Sequence, residues 1–293
     1  MKALIIAEHA AAAAELVAGA RTMADEVVAI SFGGAYECGA DKVLNITVPE
    51  GLTVDSAVET VNAAFDAENP EIVLVEACRH MKVVAGSLAF HADTAVITDV
   101  TAFEAEGAKS MYFGGIAERV QKAAGNVAIY TIGAGVFDGA KGANGSVAEQ
   151  EWVAPARPVK VVSSQVIEKS GVNLFKADVV VAAGRGFAEE SQLSMANDLC
   201  DKLGAGLACS RPLTEGVNWL PTERYVGVSG LMLTPKAYIA VGISGQMQHM
   251  VGCNRSGAIF AINKDKNAPI FKQCDFGLVG DIKDVLPAIT AAL

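Results

Sequence analysis

The sequence lacks the features that mark membrane proteins and nucleic-acid-binding proteins. Its apolar runs, such as residues 237–243, fall far short of the roughly 20 residues that a membrane-spanning helix needs. Positive charge is in the minority, because 23 Lys and Arg face 33 Asp and Glu and leave a net charge of -10. Such a chain repels phosphate backbones and anionic lipid headgroups. We therefore expect neither nucleic acid nor a membrane among its partners.

Metal-binding or redox-active residues at close spacing in the sequence are also missing. The nearest two of the six cysteines are Cys200 and Cys209, so no CxxC pair and no zinc knuckle can be drawn. The four histidines show no HExxH spacing. We expect reduced, buried thiols and no bound metal.

The N-terminus carries a short apolar run rather than a long one. Residues 3–7 are apolar, and Glu8 and His9 end the run. This length predicts a buried strand instead of the apolar region of a signal peptide. A cytoplasmic location is the corresponding expectation.

Strand-length apolar runs alternate with helix-length segments in the first part of the chain. Strands are predicted at 3–7, 27–30 and 72–75, and helices from about Ala10, from about Val54 and over 81–90. Alternation of this kind predicts βαβ units around a mainly parallel sheet. Residues 94–157 are irregular and rich in glycine, which is typical of turns and of a crossing between domains. With 293 residues, two domains are expected, 1–165 and 166–293.

The alternation restarts in the second part. Strands are predicted at 178–183, up to Ser210, and at 225–227, 238–243 and 258–262, with a helix over 189–203. One face of that helix is apolar at helical spacing: Leu193, Ala196, Leu199, Cys200 and Leu203. The fold class is therefore α/β, with a Rossmann-like N-terminal domain and a C-terminal domain built on a doubly wound parallel sheet.

Candidate binding residues follow the strands of the second sheet, where open α/β sheets bind ligands. Residues 242–249 read GISGQMQH, and glycines at a turn let the backbone approach a phosphate. The spacing is not GxGxxG, so the nicotinamide fingerprint is absent there, and a purely structural turn is the alternative. Asn263 and Lys264 could contact a nucleotide or cap the next element, and Arg211 could face the crevice or solvent.

Several segments together resemble one family. Ser210-Arg211-Pro212, Gly227-Val228-Ser229-Gly230, residues 238–249 and residues 261–271 look like the FAD-binding domain of electron-transfer flavoprotein α subunits. The opening residues 5–9 resemble the first strand of the same family. The variants at 246–250 and 266–269 are most similar to its Fix-type bacterial branch.

The resemblance implies an electron carrier rather than an enzyme that converts a substrate. FAD would be held non-covalently by 166–293, while 1–165 would be the scaffold that pairs with a β subunit. The redox partner would be an acyl-CoA-type dehydrogenase or a related flavin or iron-sulfur protein. The open alternatives are an electron-bifurcating α subunit and a non-redox nucleotide-binding module. An NAD-linked dehydrogenase is disfavoured by the missing fingerprint.

The resemblance also implies roles for single residues. Arg211 would lie over the isoalloxazine ring, Ser229 would hydrogen-bond flavin N5, and Arg211 with His249 would tune the flavin. The full predicted cofactor-binding set is Ser210, Arg211, Ser229, Gly230, Gly242, Ser244, Gly245, Gln248, His249, Asn263, Lys264 and Asp281. Within this set, Asn263, Lys264 and Asp281 would hold the adenosine. Relatives commonly carry glutamine where Tyr225 stands, and Arg185 is expected to be structural.

Overall fold

The computed structural model describes residues 1–139, 142–165 and 172–293. The chain forms two compact units, Met1–Tyr112 with Glu118–Val166 and Phe113–Ala117 with Ile167–Leu293. The predicted domain boundary, between 165 and 166, falls at the edge of 166–171, which lie outside the described residues. Each unit has its own sheet and its own core.

The first unit is built on a sheet of order β7-β6-β5-β8-β4-β1-β2-β3-β9. Its strands are β1 Lys2–Ile6, β2 Glu26–Phe32, β3 Lys42–Ile46, β4 Ile72–Glu76, β5 Val96–Glu104, β6 Gly107–Tyr112, β7 Ala117–Gln121, β8 Ala128–Ile132 and β9 Ser146–Glu149. Neighbouring strands pair in parallel along the part of the sheet that runs β5-β8-β4-β1-β2-β3-β9. Strands β5 and β6 pair in the antiparallel direction.

Helices cover both faces of this sheet. They are α1 Ala10–Ala20, α2 Val58–Glu68 and α3 Arg79–His91. Because successive strand side chains point to opposite faces, Ile5 packs in the same core as Leu16 of α1, while Leu4 packs with Val61 and Leu88 of α2 and α3. Burial on both faces explains why these strands read as continuous apolar runs.

The second unit contains a fully parallel sheet of order β11-β10-β12-β13-β14. Its strands are β10 Val179–Ala183, β11 Gly206–Cys209, β12 Ala237–Val241, β13 Ala258–Asn263 and β14 Phe276–Val279, and its helices are α4 Leu193–Leu203, α5 Met247–Met250 and α6 Ile282–Ala292. The predicted apolar face of α4 is buried against the sheet, with Leu203 partly buried. The predicted α/β class with two parallel-rich sheets is confirmed.

Some predicted elements were wrong. Residues 225–227 do not form a strand: Tyr225 and Val226 make only isolated bridges, to Cys209 and Leu231, and Gly227 follows at a φ of 150°. The region 94–157, read as irregular, contains strands β5 to β9. None of the helices in the described part of the chain has the length and apolarity of a membrane span.

Candidate functional site

A cleft lies at the carboxyl ends of the second unit's strands. After β10 the chain crosses to β11 on one side, whereas after β12 it crosses to β13 on the other side, so the order of strands reverses between β10 and β12. Ligands of open α/β sheets bind at this reversal of strand order. The cleft has a volume of about 350 Å³ and is open to solvent on one side. Its lining residues are Arg185, Gly186, Ser210, Arg211, Pro212, Tyr225, Val226, Val228, Ser229, Gly242, Ile243, Ser244, Gln246, Gln248, His249 and Asn263.

Two glycines bring the loops after β10 and β12 into direct contact. The Gly186 N–H donates to the Gly242 carbonyl at 2.9 Å, and Gly242 has a φ of +63°. A Cβ on Gly242 would lie 2.7 Å from the Gly186 Cα, and a Cβ on Gly186 would lie 2.6 Å from the Gly242 Cα. Any side chain would therefore force the two loops apart, so backbone forms this part of the cleft wall.

Arg211 lines the cleft but is not an isolated positive charge. Its Nε donates to Oε2 of Glu215 at 2.6 Å, and the Arg211 side chain is 60% exposed. This hydrogen bond raises the pKa of Arg211 above its ordinary value. A carboxylate one helical turn away thus offsets part of the field that the guanidinium exerts on the cleft.

Hydroxyl groups lie beside the arginine's loop. The hydroxyls of Tyr225 and Ser229 are 2.9 Å apart, and both residues line the cleft. Tyr225 is buried and Ser229 is exposed. The buried tyrosine therefore holds in place the oxygen of the exposed serine, the group expected to meet flavin N5.

His249 is a buried titratable residue of the cleft. Its Nε2 is 2.9 Å from the Tyr238 hydroxyl, and its Nδ1 is buried with no hydrogen-bond partner among the described residues. Burial lowers the pKa of His249 to about 4, although the Val226 carbonyl acts in the opposite direction. The ring is therefore neutral at pH 7, and one of its nitrogens lacks a partner that a ligand could supply.

Asn263 lines the cleft with an amide that is already engaged. Its Nδ2 donates to the Ile243 carbonyl at 2.9 Å and its Oδ1 accepts from the Asp265 N–H at 2.9 Å. The amide thereby ties the end of β13 to the turn after β12. Its free face can still meet a ligand, because an amide oxygen has two lone pairs.

Four predicted residues do not line this cleft: Gly230, Gly245, Lys264 and Asp281. Asp281 caps α6, since its Oδ1 accepts from the Lys283 N–H at 2.9 Å. Gly245 packs so tightly on Ile270 that a Cβ would come within 2.4 Å of the Ile270 nitrogen. Lys264 is exposed. Their binding roles remain predictions.

The lining also contains residues that the sequence did not single out as binding. Arg185 was expected to be structural, yet it lines the cleft beside Gly186. Its place directly after β10 is the signal that could have identified it, because Arg211 holds the equivalent place after β11. Glu215 and Tyr238, which pair with Arg211 and His249, carry no such positional signal.

The first unit contains a cluster of side chains of the kinds that bind metal ions. These residues are distant in the sequence from those that line the cleft. Ligand atoms of Glu8, His9 and Cys78 lie within 4.8 Å of one another. His9 Nδ1 is 2.7 Å from Oε1 of Glu76, and His80 Nδ1 is 2.9 Å from Oε1 of Glu8. Spacing rules missed the cluster because Glu8 and Cys78 are 70 positions apart. Hydrogen bonds from the two imidazoles and from the Cys78 thiol to the carboxylates of Glu8 and Glu76 account for it, and the expectation of no bound metal stays a prediction.

Comparison with known proteins covers both units. The model described as "Electron transfer flavoprotein domain" matches residues 3–157, and the one described as "Electron transfer flavoprotein FAD-binding domain" matches residues 173–254. "Protein FixB" of Escherichia coli O157:H7 is 39% identical over 95% of this chain and 94% of its own length. "Protein FixB" of Shigella flexneri shows the same identity and coverage.

Proposed function

The chain belongs to the electron transfer flavoprotein family, as an α subunit of its Fix-type branch, and from this we propose that it carries electrons on FAD held in the cleft of its second unit, beside a β subunit. The family model that matches the second unit is that of the FAD-binding domain. The observation that supports this placement best is the position of the cleft at the reversal of strand order, lined by eight of the predicted residues: Ser210, Arg211, Ser229, Gly242, Ser244, Gln248, His249 and Asn263.

The residues of the cleft fit a flavin nucleotide. The contact between Gly186 and Gly242 leaves backbone, rather than side chains, to meet a pyrophosphate. The buried Nδ1 of His249 has no hydrogen-bond partner within the part of the chain that the structure describes, and the pyrimidine end of an isoalloxazine ring would supply one. When bound, the flavin supplies the capacity to accept and release electrons.

The residues around the ring would bind it, orient it and set its electrostatics. Ser229 would present its hydroxyl to the ring edge, with its oxygen held in place by the Tyr225 hydroxyl at 2.9 Å. Arg211 would supply positive charge where reduction adds negative charge, to an extent limited by Glu215. Asn263, with Lys264 and Asp281 beyond the cleft lining, is proposed for the adenosine.

A β subunit is proposed as the obligatory partner, and an acyl-CoA-type dehydrogenase or a related flavin or iron-sulfur protein as the electron donor or acceptor. The support is the family membership. We propose accordingly that the chain expressed alone loses FAD or is poorly soluble. A monodisperse, fully flavinated chain without a β subunit would contradict this.

The test is co-expression with a candidate β subunit, followed by an absorption spectrum and chromatographic identification of the released nucleotide. We expect FAD, and reduction by a partner dehydrogenase but not by NADH alone. His249→Asn should lower the FAD content, whereas the control His91→Asn, which removes a ring paired with Asp66 in the first unit, should not. A colourless complex would favour the non-redox module, and FMN would remove the role proposed for the adenosine residues.

A further inference from the structure

The order of strands also reverses in the sheet of the first unit. After β1 the chain crosses to β2 on one side, whereas after β4 it crosses to β5 on the other side. The carboxyl ends of β1 and β4 are therefore the place in this sheet where an open α/β fold binds a ligand. Glu8 and His9 follow β1, Glu76 is the last residue of β4, and Cys78 directly precedes α3. The fold thus brings four side chains of metal-binding types to the reversal point.

Three of these side chains place their donor atoms close together. One donor atom each from Glu8, His9 and Cys78 lies within 4.8 Å of both others, and Sγ of Cys78 is 3.2 Å from Oε2 of Glu8. The ligand atoms of a tetrahedral zinc site lie roughly 3.3 to 3.8 Å apart, because zinc binds nitrogen and oxygen at about 2.0 to 2.2 Å and sulfur at about 2.3 Å. Small rotations of the side chains would therefore bring all three atoms to one ion.

Two further side chains hold these three in place. Oε1 of Glu76 is 2.7 Å from Nδ1 of His9, and its Oε2 accepts from the N–H groups of Glu8 and His9 at 2.8 and 3.1 Å. Nδ1 of His80 is 2.9 Å from Oε1 of Glu8. In metal sites, ligating imidazoles are hydrogen-bonded to carboxylates, and ligating carboxylates are hydrogen-bonded in turn. Glu76 and His80 provide both kinds of support.

The chemical types of the three side chains favour zinc over harder cations. Zinc takes thiolate, imidazole and carboxylate ligands, whereas calcium and magnesium take oxygen. The Cys78 thiol would release its proton to solvent on binding, and the cation would offset the negative charge that the thiolate and the carboxylates bring together. His9 is exposed and the other two are half-buried, so water can reach a fourth position on the ion.

We propose that Glu8, His9 and Cys78 form a zinc site at the carboxyl ends of β1 and β4, with water as the fourth ligand. The sequence predicted no metal because spacing rules detect only ligands that are close along the chain, and Glu8 and Cys78 are 70 positions apart. The ion would join the loop after β1 to the start of α3 and so stabilise the first unit. The site is separate from the flavin cleft and does not depend on the proposed function.

The test is zinc binding to the complex with a β subunit, stripped of metal with a chelator and then titrated with Zn²⁺ by calorimetry. X-ray absorption of the zinc-loaded complex identifies the ligands without interference from flavin absorption. We expect one sulfur at about 2.3 Å and nitrogen or oxygen at about 2.0 to 2.2 Å. A complex that retains no zinc, or zinc without a sulfur ligand, would overturn the proposal.

Variants assign the bound zinc to this cluster. Cys78→Ala should abolish binding at the site, and Glu76→Gln should weaken it by roughly 10- to 100-fold through loss of support for the ligands. Cys274→Ala is the matched control, because Cys274 is also a half-buried free thiol but lies in the second unit. It should leave the dissociation constant for zinc unchanged. Unchanged binding in Cys78→Ala would place the zinc elsewhere and overturn the proposal.

Two further measurements keep the outcome decisive. If Cys78→Ala does not fold, His9→Asn changes an exposed side chain and should still remove the site, whereas the control His91→Asn, which changes a ring paired with Asp66, should not. Zinc binding that survives His9→Asn would overturn the proposal. A complex that binds zinc through Cys78 but takes up no flavin would support this site while refuting the proposed function.

Discussion

The contact between the loops after β10 and β12 leads to a sharp prediction for Gly242→Ala. The new Cβ would lie 2.7 Å from the Gly186 Cα and 3.0 Å from the Gly186 nitrogen. Both neighbours are backbone, so no side chain can rotate away. The substitution also places a Cβ at a φ of +63°, the left-handed region that costs an L-residue about 1 to 2 kcal/mol.

Gly204→Ala is the matched control. Gly204 ends α4 at a φ of +60° and has no atom within 4 Å of its would-be Cβ, so it shares the left-handed cost but not the clash. Overpacking costs about 1 to 3 kcal/mol. We therefore expect Gly204→Ala to lower the free energy of unfolding by about 1 to 2 kcal/mol, and Gly242→Ala to lower it by roughly 1 to 3 kcal/mol more.

The assay is urea unfolding of the flavin-free chain followed by tryptophan fluorescence. The chain has two tryptophans, and Trp219 packs against the core of the second unit. In a Trp152→Phe background the signal therefore reports on the second unit. The FAD content of the complex should fall in Gly242→Ala and stay unchanged in Gly204→Ala. Equal destabilisation of the two variants, with full FAD content in both, would refute the reasoning.

Three further predictions concern the charged and capping residues. Arg211→Ala should lower the reduction potential of bound FAD and Glu215→Gln should raise it, because the first removes a positive charge and the second removes its counter-charge; redox titration by visible absorption tests both, and shifts of the same sign would contradict the pairing. The pKa of His249 is lowered from 6.5 to about 4 in the folded chain, so protons bind preferentially to the unfolded chain as the pH falls. The free energy of unfolding of the second unit should be fully retained above about pH 6.5 and drop by about 3 kcal/mol down to about pH 4, with a flatter profile in His249→Gln. Asp281→Ala should lower the free energy of unfolding by about 1 kcal/mol through loss of the α6 cap; an unchanged dissociation constant for FAD, measured by fluorescence titration, would exclude a role for Asp281 in holding the adenosine.

The buried parallel strands were predictable because both of their faces are covered. Strands such as β10 and β12 read as continuous apolar runs, and the turns between them are marked by glycine and polar residues. Strand β9 is exposed along its whole length and β7 along most of it, so neither leaves an apolar pattern. The stretch that contains them looked irregular for that reason.

The candidate site was predictable to the extent that it depends on topology. Residues at the carboxyl ends of parallel strands, or directly after them, meet at one edge of the sheet, which explains why Ser210, Gly242 and Asn263 line one cleft. The pairing of Arg211 with Glu215 depends on the side-chain conformation of a short helical segment. The contact between Tyr238 and His249 depends on a residue that, in the sequence, looks like any other core position.

That contact has a consequence for engineering this protein. Tyr238 packs in the same core as Val180, Ala240 and Met250, none of which lines the cleft. A change in the volume of these neighbours would move the phenolic hydroxyl, and with it the ring that it holds. A search for variants with altered cofactor chemistry should therefore include the apolar interior beneath β12, where substitutions are usually screened only for their effect on folding.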